Sequence, residues 1–237
     1  MPTVAVVIPA KNEERYLPGL LEALRRQTVR PDDVAVGDGG SSDATRDIAR
    51  KFGAKVVQGG STALGRNKGA AVTTSDLIVF FDADAIIEDP RFIERAMREF
   101  TERGLDVATA DVDVRGGTLV DRASFGFYNR YVRWWGARHP HPIGTFIMVR
   151  RSVHEALRGF DTAVTFAEDH DYGLRARDLG YRFGVLDTVR IGTSPRRQER
   201  IGRVRFLLVN ALAEPYIMLF GSIKKREFKD EYEKPAS

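Results

Sequence analysis

The chain has 237 residues, 43% hydrophobic and 30% charged, which is enough apolar material for one sizeable core with a short appendage. The net charge of +4 is spread along the sequence and gives no reason to invoke nucleic acid, and the absence of cysteine excludes disulfides, thiolate metal sites and a cysteine nucleophile. Only four histidines are present, which argues against a histidine-rich zinc site.

Short β-rich runs alternate with helical segments through the first half. TVAVVIP is followed by a helix over 13–27, DVAVGD by SDATRDIARKF, AKVVQ by a helix over 62–74, and LIVFFD by a helix over 90–103. Strands that are apolar throughout, rather than alternating in and out, predict a mostly parallel central sheet flanked by helices, an α/β fold. After LDVATADVDV the rhythm changes to an aromatic helix, RASFGFYNRYVRWWG, a strand GTFIMVRR, a helix around 168–180 and a strand RFGVLD. The apolar stretch at the N-terminus is too short for a secretion signal, so a cytoplasmic location is expected. The tract VRFLLVNALAEPYIMLFGSI at 204–223 has the length of a membrane span, yet Asn210, Glu214 and Pro215 in its centre make it an amphipathic or packed helix instead.

In an open α/β sheet, ligands bind beyond the carboxyl ends of the strands. Those ends carry PAKNE at 9–13, DGGS at 38–41 and DAD at 82–84. A dinucleotide site would need glycines in the first turn, where this chain has PAKNEER, and a P-loop fails because GSTALGRN puts Arg66 and Asn67 where Lys and Ser or Thr are required.

Asp82 and Asp84 are two residues apart at the end of an extended run, so both can face one crevice. Two hard oxygen ligands suit Mg²⁺ or Mn²⁺, which keep positions open for the oxygens of a diphosphate; the plain structural alternative is a pair of turn or capping aspartates. Asp38 can accept hydrogen bonds from a nucleobase or a ribose, or from its own turn. Arg66 can place a guanidinium against a base or phosphate, or simply be solvated at the head of a helix. Glu168, Asp169 and Asp171 cluster at another helix head, where they complement the dipole or supply a general base already ionised at neutral pH. His170 reads as an orienting or exposed histidine, and HPHP at 139–142 as a proline-stiffened turn.

The blocks VVIPAKNEE, GDGGSSDAT, GRNKGAA, VFFDADA, GTFIMVRRSVHEALRGFD and EDHDYGLRARDLGYRF, in this order and spacing over about residues 3–190, resemble family 2 glycosyltransferases of the GT-A fold. The resemblance implies a small, non-processive, inverting transferase that moves a sugar from a nucleotide diphosphate sugar, UDP- or GDP-linked, to an acceptor hydroxyl, a glycan or a lipid-linked phosphate such as polyprenyl phosphate. It implies a nucleotide cradle at Pro9, Ala10, Glu13, Asp38 and Arg66, a D-x-D at Asp82, Ala83 and Asp84 that holds ribose and metal, with Asp84 the direct ligand, and an E-D pair at Glu168 and Asp169 whose aspartate is the base. TSPRRQERIGR resembles the S-x-R-R segment of such enzymes and makes Arg196 and Arg197 candidates to close on the diphosphate. Lys11 stands where many relatives carry a base-stacking aromatic, and the Q-x-x-R-W of processive synthases is absent. The implied division is a glycosyltransferase domain over 1–200, with a nucleotide-binding half at 1–114 and an acceptor half at 115–200, then a C-terminal helix and charged tail at 201–237.

Phe125, Phe127, Tyr128, Tyr131, Trp134 and Trp135, interleaved with Arg122, Arg130 and Arg133, suit a core, a sugar-stacking wall or a membrane interface. With the 204–223 helix and the basic KKR at its end, they suggest peripheral membrane contact. Two other readings are a non-catalytic nucleotide-sugar binding protein and a nucleotidyltransferase; the latter wants a glycine-rich basic loop after the first strand, which PAKNEE does not supply.

Overall fold

A computed structural model gives the fold and describes residues 2–224. Seven strands form one sheet: β1 Val4–Ala10, β2 Asp33–Asp38, β3 Lys55–Gln58, β4 Leu77–Phe81, β5 Val107–Val114, β6 Phe146–Arg150 and β7 Phe183–Thr193. Their order is β3-β2-β1-β4-β6-β5-β7, and β6 runs antiparallel to both of its neighbours while the other pairings are parallel. The helices are α1 Leu17–Arg25, α2 Thr45–Lys51, α3 Thr62–Ala71, α4 Phe92–Glu102, α5 Leu119–Trp135, α6 Arg151–Ala156, α7 Glu168–Asp178, α8 Arg196–Ile201 and α9 Arg203–Phe220.

The continuous apolar strands serve two cores. Val4, Val6 and Ile8 of β1 with Leu77, Val79 and Phe81 of β4 pack under α1, α2 and α4, while Val7, Ile78 and Phe80 pack under α3, α6 and α7 on the opposite face. A strand that buries both of its faces cannot show a polar alternation, which is why the sequence runs are unbroken. On one face α3 lies unusually close to the sheet. A Cβ on Gly37 of β2 would stand 2.4 Å from the Gly65 carbonyl oxygen, and one on Gly69 would stand 2.4 Å from Cγ1 of Val7. The small residues of GRNKG thus set the height of α3 above the sheet.

Two expectations shift. The first helix begins at Leu17 rather than at residue 13, because residues 13–16 form a turn in which the amides of Tyr16 and Leu17 both donate to the Glu13 carbonyl. The last strand continues past RFGVLD to Thr193, paired to β5 across a bulge at Ala110 and Asp111.

The 204–223 tract is largely helical, and among the described residues no helix is long and apolar enough to cross a membrane. One face of α9 packs through Ala213 and Ile217 onto Phe166, Ala167 and Leu174. The other exposes Val204, Leu207, Leu208, Leu212 and Tyr216. After α9 the chain clasps the loop that leads into α7: the Thr165 amide donates to the Ile223 carbonyl at 2.9 Å, and Lys224 pairs with Asp161 at 3.0 Å. The remainder of the KKR stretch and the charged tail lie outside the described residues.

Candidate active site

Parallel strands place all their carboxyl ends at one edge of the sheet. An antiparallel strand starts where its neighbours finish, so β6 begins there too, with Phe146 opposite Phe81. The edge therefore collects Glu13 after β1, Asp38 at the end of β2, Asp82 and Asp84 after β4, Gly144 before β6, and Ser194 and Arg196 after β7.

The two aspartates are carried by a turn and not by extended strand. β4 ends at Phe81, and residues 82–85 form a tight turn closed by the Ala85 amide on the Asp82 carbonyl at 3.0 Å. The side chain of Ala83 turns into the core at 2% exposure, so only its backbone is available to a ligand. Asp82 and Asp84 each engage a different arginine.

Arg66 is 1% exposed and is carried to the strand ends by the close seating of α3. It donates to Asp82 Oδ1 at 3.0 Å, to Glu168 Oε1 at 3.1 Å and to the Gly144 carbonyl at 3.2 Å, with its guanidinium over the Phe160 ring at 5.1 Å. It is neither a solvated surface residue nor an open cradle: it cross-links the D-x-D to the E-D pair. Asn67, one residue on, fixes Phe160 by accepting from its amide and donating to its carbonyl, both at 2.8 Å.

Arg196 makes the second link. It grips both oxygens of Glu13 at 2.6 and 2.8 Å, donates through Nε to Asp84 Oδ2 at 2.9 Å, and lies over the Tyr16 ring. The Ser194 hydroxyl donates to the same Asp84 oxygen at 2.9 Å. These contacts form because Ile86 and Gly192 exchange backbone hydrogen bonds of 2.8 and 2.9 Å, pinning the aspartate turn to the end of β7. Burial raises the Glu13 carboxyl above its ordinary range against the pull of Arg196. Arg197, the other candidate of the segment, is exposed.

Asp169 accepts the Gly144 amide at 2.8 Å and the His170 amide at 2.9 Å. Part of its surface reaches solvent, yet it sits deep enough that desolvation, helped by the neighbouring Glu168 charge and opposed by Arg66, pushes its pKa up to about 6. The ordinary carboxylate range expected from the sequence therefore does not hold for Asp169, because burial favours its protonated form.

Asp38 is buried and accepts from the amides of Gly40 and Ser41 at 3.2 Å, so its oxygens are engaged by its own turn. Pro9 and Ala10 lie beside it in register with Gly37 and Asp38. Sequence reasoning missed Gly144, Ser194 and Tyr16. For Gly144 the requirement is steric: a Cβ there would stand 2.9 Å from the Arg66 guanidinium and 3.0 Å from Asp169 Oδ2. It also missed that His139, His141 and His170 come together. HPHP is an irregular connection leading into β6, and it delivers two histidines to a third.

Glu13, Asp82, Asp84, Glu168 and Asp169 face Arg66 and Arg196, which leaves an excess of negative charge. Such a surplus repels an anion and attracts a cation. Among the described residues, Asp82 Oδ2 and Asp84 Oδ1 have no hydrogen-bond donor, and an all-oxygen donor set fits Mg²⁺ or Mn²⁺. A separate cavity of about 760 Å³ lies between α5 and the ends of β5 and β7; Arg115, Arg122, Arg130, Arg133 and Arg190 line it, and no strand-end carboxylate of the site does.

Comparison with known proteins decides the family. A model described as glycosyl transferase family 2 matches residues 5–158. The chain belongs to glycosyl transferase family 2. Among curated relatives of this transferase, a 4,4'-diaponeurosporenoate glycosyltransferase from Staphylococcus haemolyticus is 34% identical over 110 residues, covering 43% of this chain and 29% of the relative. Glycosyltransferase AglE from Haloferax volcanii is 28% identical over 211 residues, covering 83% and 68%. A mannosyltransferase from Pyrobaculum calidifontis, solved with GDP-Man and Mn²⁺, superposes with a TM-score of 0.68 at 20% identity over 98% of this chain and 68% of its own. TarS from S. aureus gives 0.64 at 21% over 97% and 42%. The expected GT-A fold is thereby shown. The chain spans 29% of the length of the first of these relatives and 42% of the TarS chain.

Proposed function

We propose that the protein transfers a sugar from a UDP- or GDP-sugar, with a divalent cation at Asp84 and Asp82, to an acceptor hydroxyl or a lipid-linked phosphate, with inversion at the anomeric carbon. The observation that carries this reading is the pair of arginine links. Arg66 joins Asp82 to Glu168, and Arg196 joins Asp84 to Glu13, so two arginine-centred clusters meet at the 82–84 turn, and the first reaches Asp169 through Gly144. The solved mannosyltransferase with GDP-Man and Mn²⁺ supports the donor class and the cation.

Bound there, the cation supplies positive charge against the leaving diphosphate. Arg196 adds a guanidinium at the same end of the site once the donor competes for it. Asp169, held by the amides of Gly144 and His170, takes the proton of the acceptor hydroxyl from the side away from the diphosphate. Arg66 keeps the charges of Glu168 and Asp82 from lifting the Asp169 pKa further.

The acceptor side rests on α5 and α9. Leu119, Val120, Phe127 and Trp134 are exposed along α5 as Val204, Leu208 and Leu212 are along α9, and the two helices join where Arg203 donates to Asp121 at 3.1 Å. Such stripes beside an arginine-lined cavity suit an acceptor presented at a membrane surface, with the protein peripheral on its cytoplasmic face.

The decisive experiment incubates the protein with Mn²⁺ and a panel of UDP-, GDP- and dTDP-sugars. Slow hydrolysis of one donor, abolished by chelation and by Asp84→Asn, is expected. Binding without turnover would instead indicate a sensor, and pyrophosphate release from a nucleoside triphosphate a nucleotidyltransferase. Co-flotation with anionic vesicles, weakened by Phe127→Ser with Trp134→Ser, tests the membrane face; unchanged flotation would remove it.

A further inference from the structure

Three of the four histidines, His139, His141 and His170, converge beside Asp169 although the HPHP segment before β6 and α7 are distant in sequence. One ring nitrogen from each lies within 4.8 Å of the others. Nε2 of His170 and Nε2 of His139 face each other at 3.1 Å, His141 stacks on His170 with ring centroids 3.9 Å apart, and His139 meets both rings edge-on. His170 is 3% exposed, and its Nδ1 has no hydrogen-bond partner. The outer wall is aromatic, with Trp135 against His139 and Tyr131 against His141.

This is a costly arrangement for protein contacts alone. A proton between the two Nε2 atoms satisfies one pair, and Nδ1 of the buried His170 is left without a partner. Neutral imidazole is the form that ligates metals, and a buried ring nitrogen gains from having a partner. Zinc–nitrogen bonds of about 2.0–2.1 Å in a tetrahedron put ligand atoms roughly 3.3–3.4 Å apart; His139 and His170 already stand 3.1 Å apart, and the stacked His141, within 4.8 Å, would turn its ring edge toward them on binding.

We propose that His139, His141 and His170 form a transition-metal site, with Zn²⁺ as the expected ion, distinct from the oxygen site at Asp82 and Asp84. Nitrogen ligands select Zn²⁺ and its neighbours, whereas carboxylates select Mg²⁺ and Mn²⁺. The ion would tie the HPHP segment to the first turn of α7. Gly144, three residues after His141, donates to Asp169, so the ion fixes both elements that orient that carboxylate.

The test uses full-length protein stripped with a chelator and dialysed against Zn²⁺ alone. Elemental analysis is expected to find one Zn²⁺ per chain in the wild type and in Asp84→Asn, and none in His141→Ala or His139→Asn. Substituted Co²⁺ should give the intense visible absorption of a tetrahedral nitrogen site, and Zn²⁺ but not Mg²⁺ should raise the melting temperature. His139 is only half-buried, so lost binding in His139→Asn with an unchanged apo melting temperature reads ligation rather than collapse; if that variant is destabilised, the wild-type stoichiometry and the Co²⁺ spectrum decide. Natively folded wild type that takes up no Zn²⁺ overturns the proposal. So does Zn²⁺ that is lost in Asp84→Asn and kept in the histidine variants.

Discussion

Replacing Asp169 by Asn separates what this residue does for catalysis from what it does to the fold. Its pKa rises from the ordinary 3.8 to about 6, chiefly by desolvation and then by the charge of Glu168. A raised carboxylate pKa means that the native state binds more protons than the unfolded state between those two values, so stability falls as pH rises through that window. Above pH 6 the full cost applies, roughly 2 units at 1.36 kcal/mol each, or about 3 kcal/mol. Asparagine removes the charge. It gives up the acceptor for the His170 amide, about 1 kcal/mol, and some attraction to Arg66. The variant should therefore be about 1–2 kcal/mol more stable than wild type at pH 8, with the advantage gone at pH 4. Turnover should fall by about 10²–10⁴ because the base is lost. Urea denaturation at both pH values and a transfer assay read the two effects. An equal stability difference at pH 4 and pH 8 would refute the desolvation argument, and wild-type turnover would refute the base.

Arg66→Met should cost about 3–5 kcal/mol at pH 8, since it strands Asp82 and Glu168 beside Asp169 with no buried countercharge, and denaturation at pH 5 should show a smaller loss as Asp169 takes up a proton. Its pH–rate profile, if activity survives, should have its lower limb moved to higher pH. Gly37→Ala should cost about 3 kcal/mol by chemical denaturation, because the new Cβ meets the backbone of Gly65 rather than a side chain that can turn away. Arg196→Met should bind Mn²⁺ alone more tightly, as Glu13 and Asp84 lose their resident cation, while the donor KM rises about tenfold; electron paramagnetic titration and initial rates check the two directions.

The strand order could not be read from local pattern, but the strand ends could. An apolar run followed by carboxylates marks a carboxyl edge whatever the neighbours are, and Asp38, Asp82 and Glu13 all lie on that edge. What the pattern could not supply was partnership. Arg66 meets Glu168 across 102 residues, and Arg196 meets Glu13 across 183, distances over which no periodicity carries information. Asp82 and Asp84 do lie at one sheet edge, but a turn after Phe81 rather than an extended strand carries them there. The histidines were missed because composition counts residues while a site needs only proximity.

The two arginines differ in a way that bears on the order of events. Arg66 comes from a ten-residue helix locked onto the sheet by glycine contacts, is almost wholly buried and has Phe160 over its face. Moving it would expose unpaired charges in the interior, so its role is fixed: it holds Asp82 and the E-D pair at constant separation. Arg196 comes from a six-residue helix bounded by Pro195 and by Gly202 at a φ of 91°, and its side chain is about one-third exposed. Water reaches its guanidinium, but Glu13 and Asp84 are mostly buried, so it can leave only when another cation takes its place. On the proposed metal site, a cation entering at Asp84 would compete with Arg196, which already holds that carboxylate, and not with Arg66. The guanidinium it displaces is then available to a diphosphate arriving at the same strand ends.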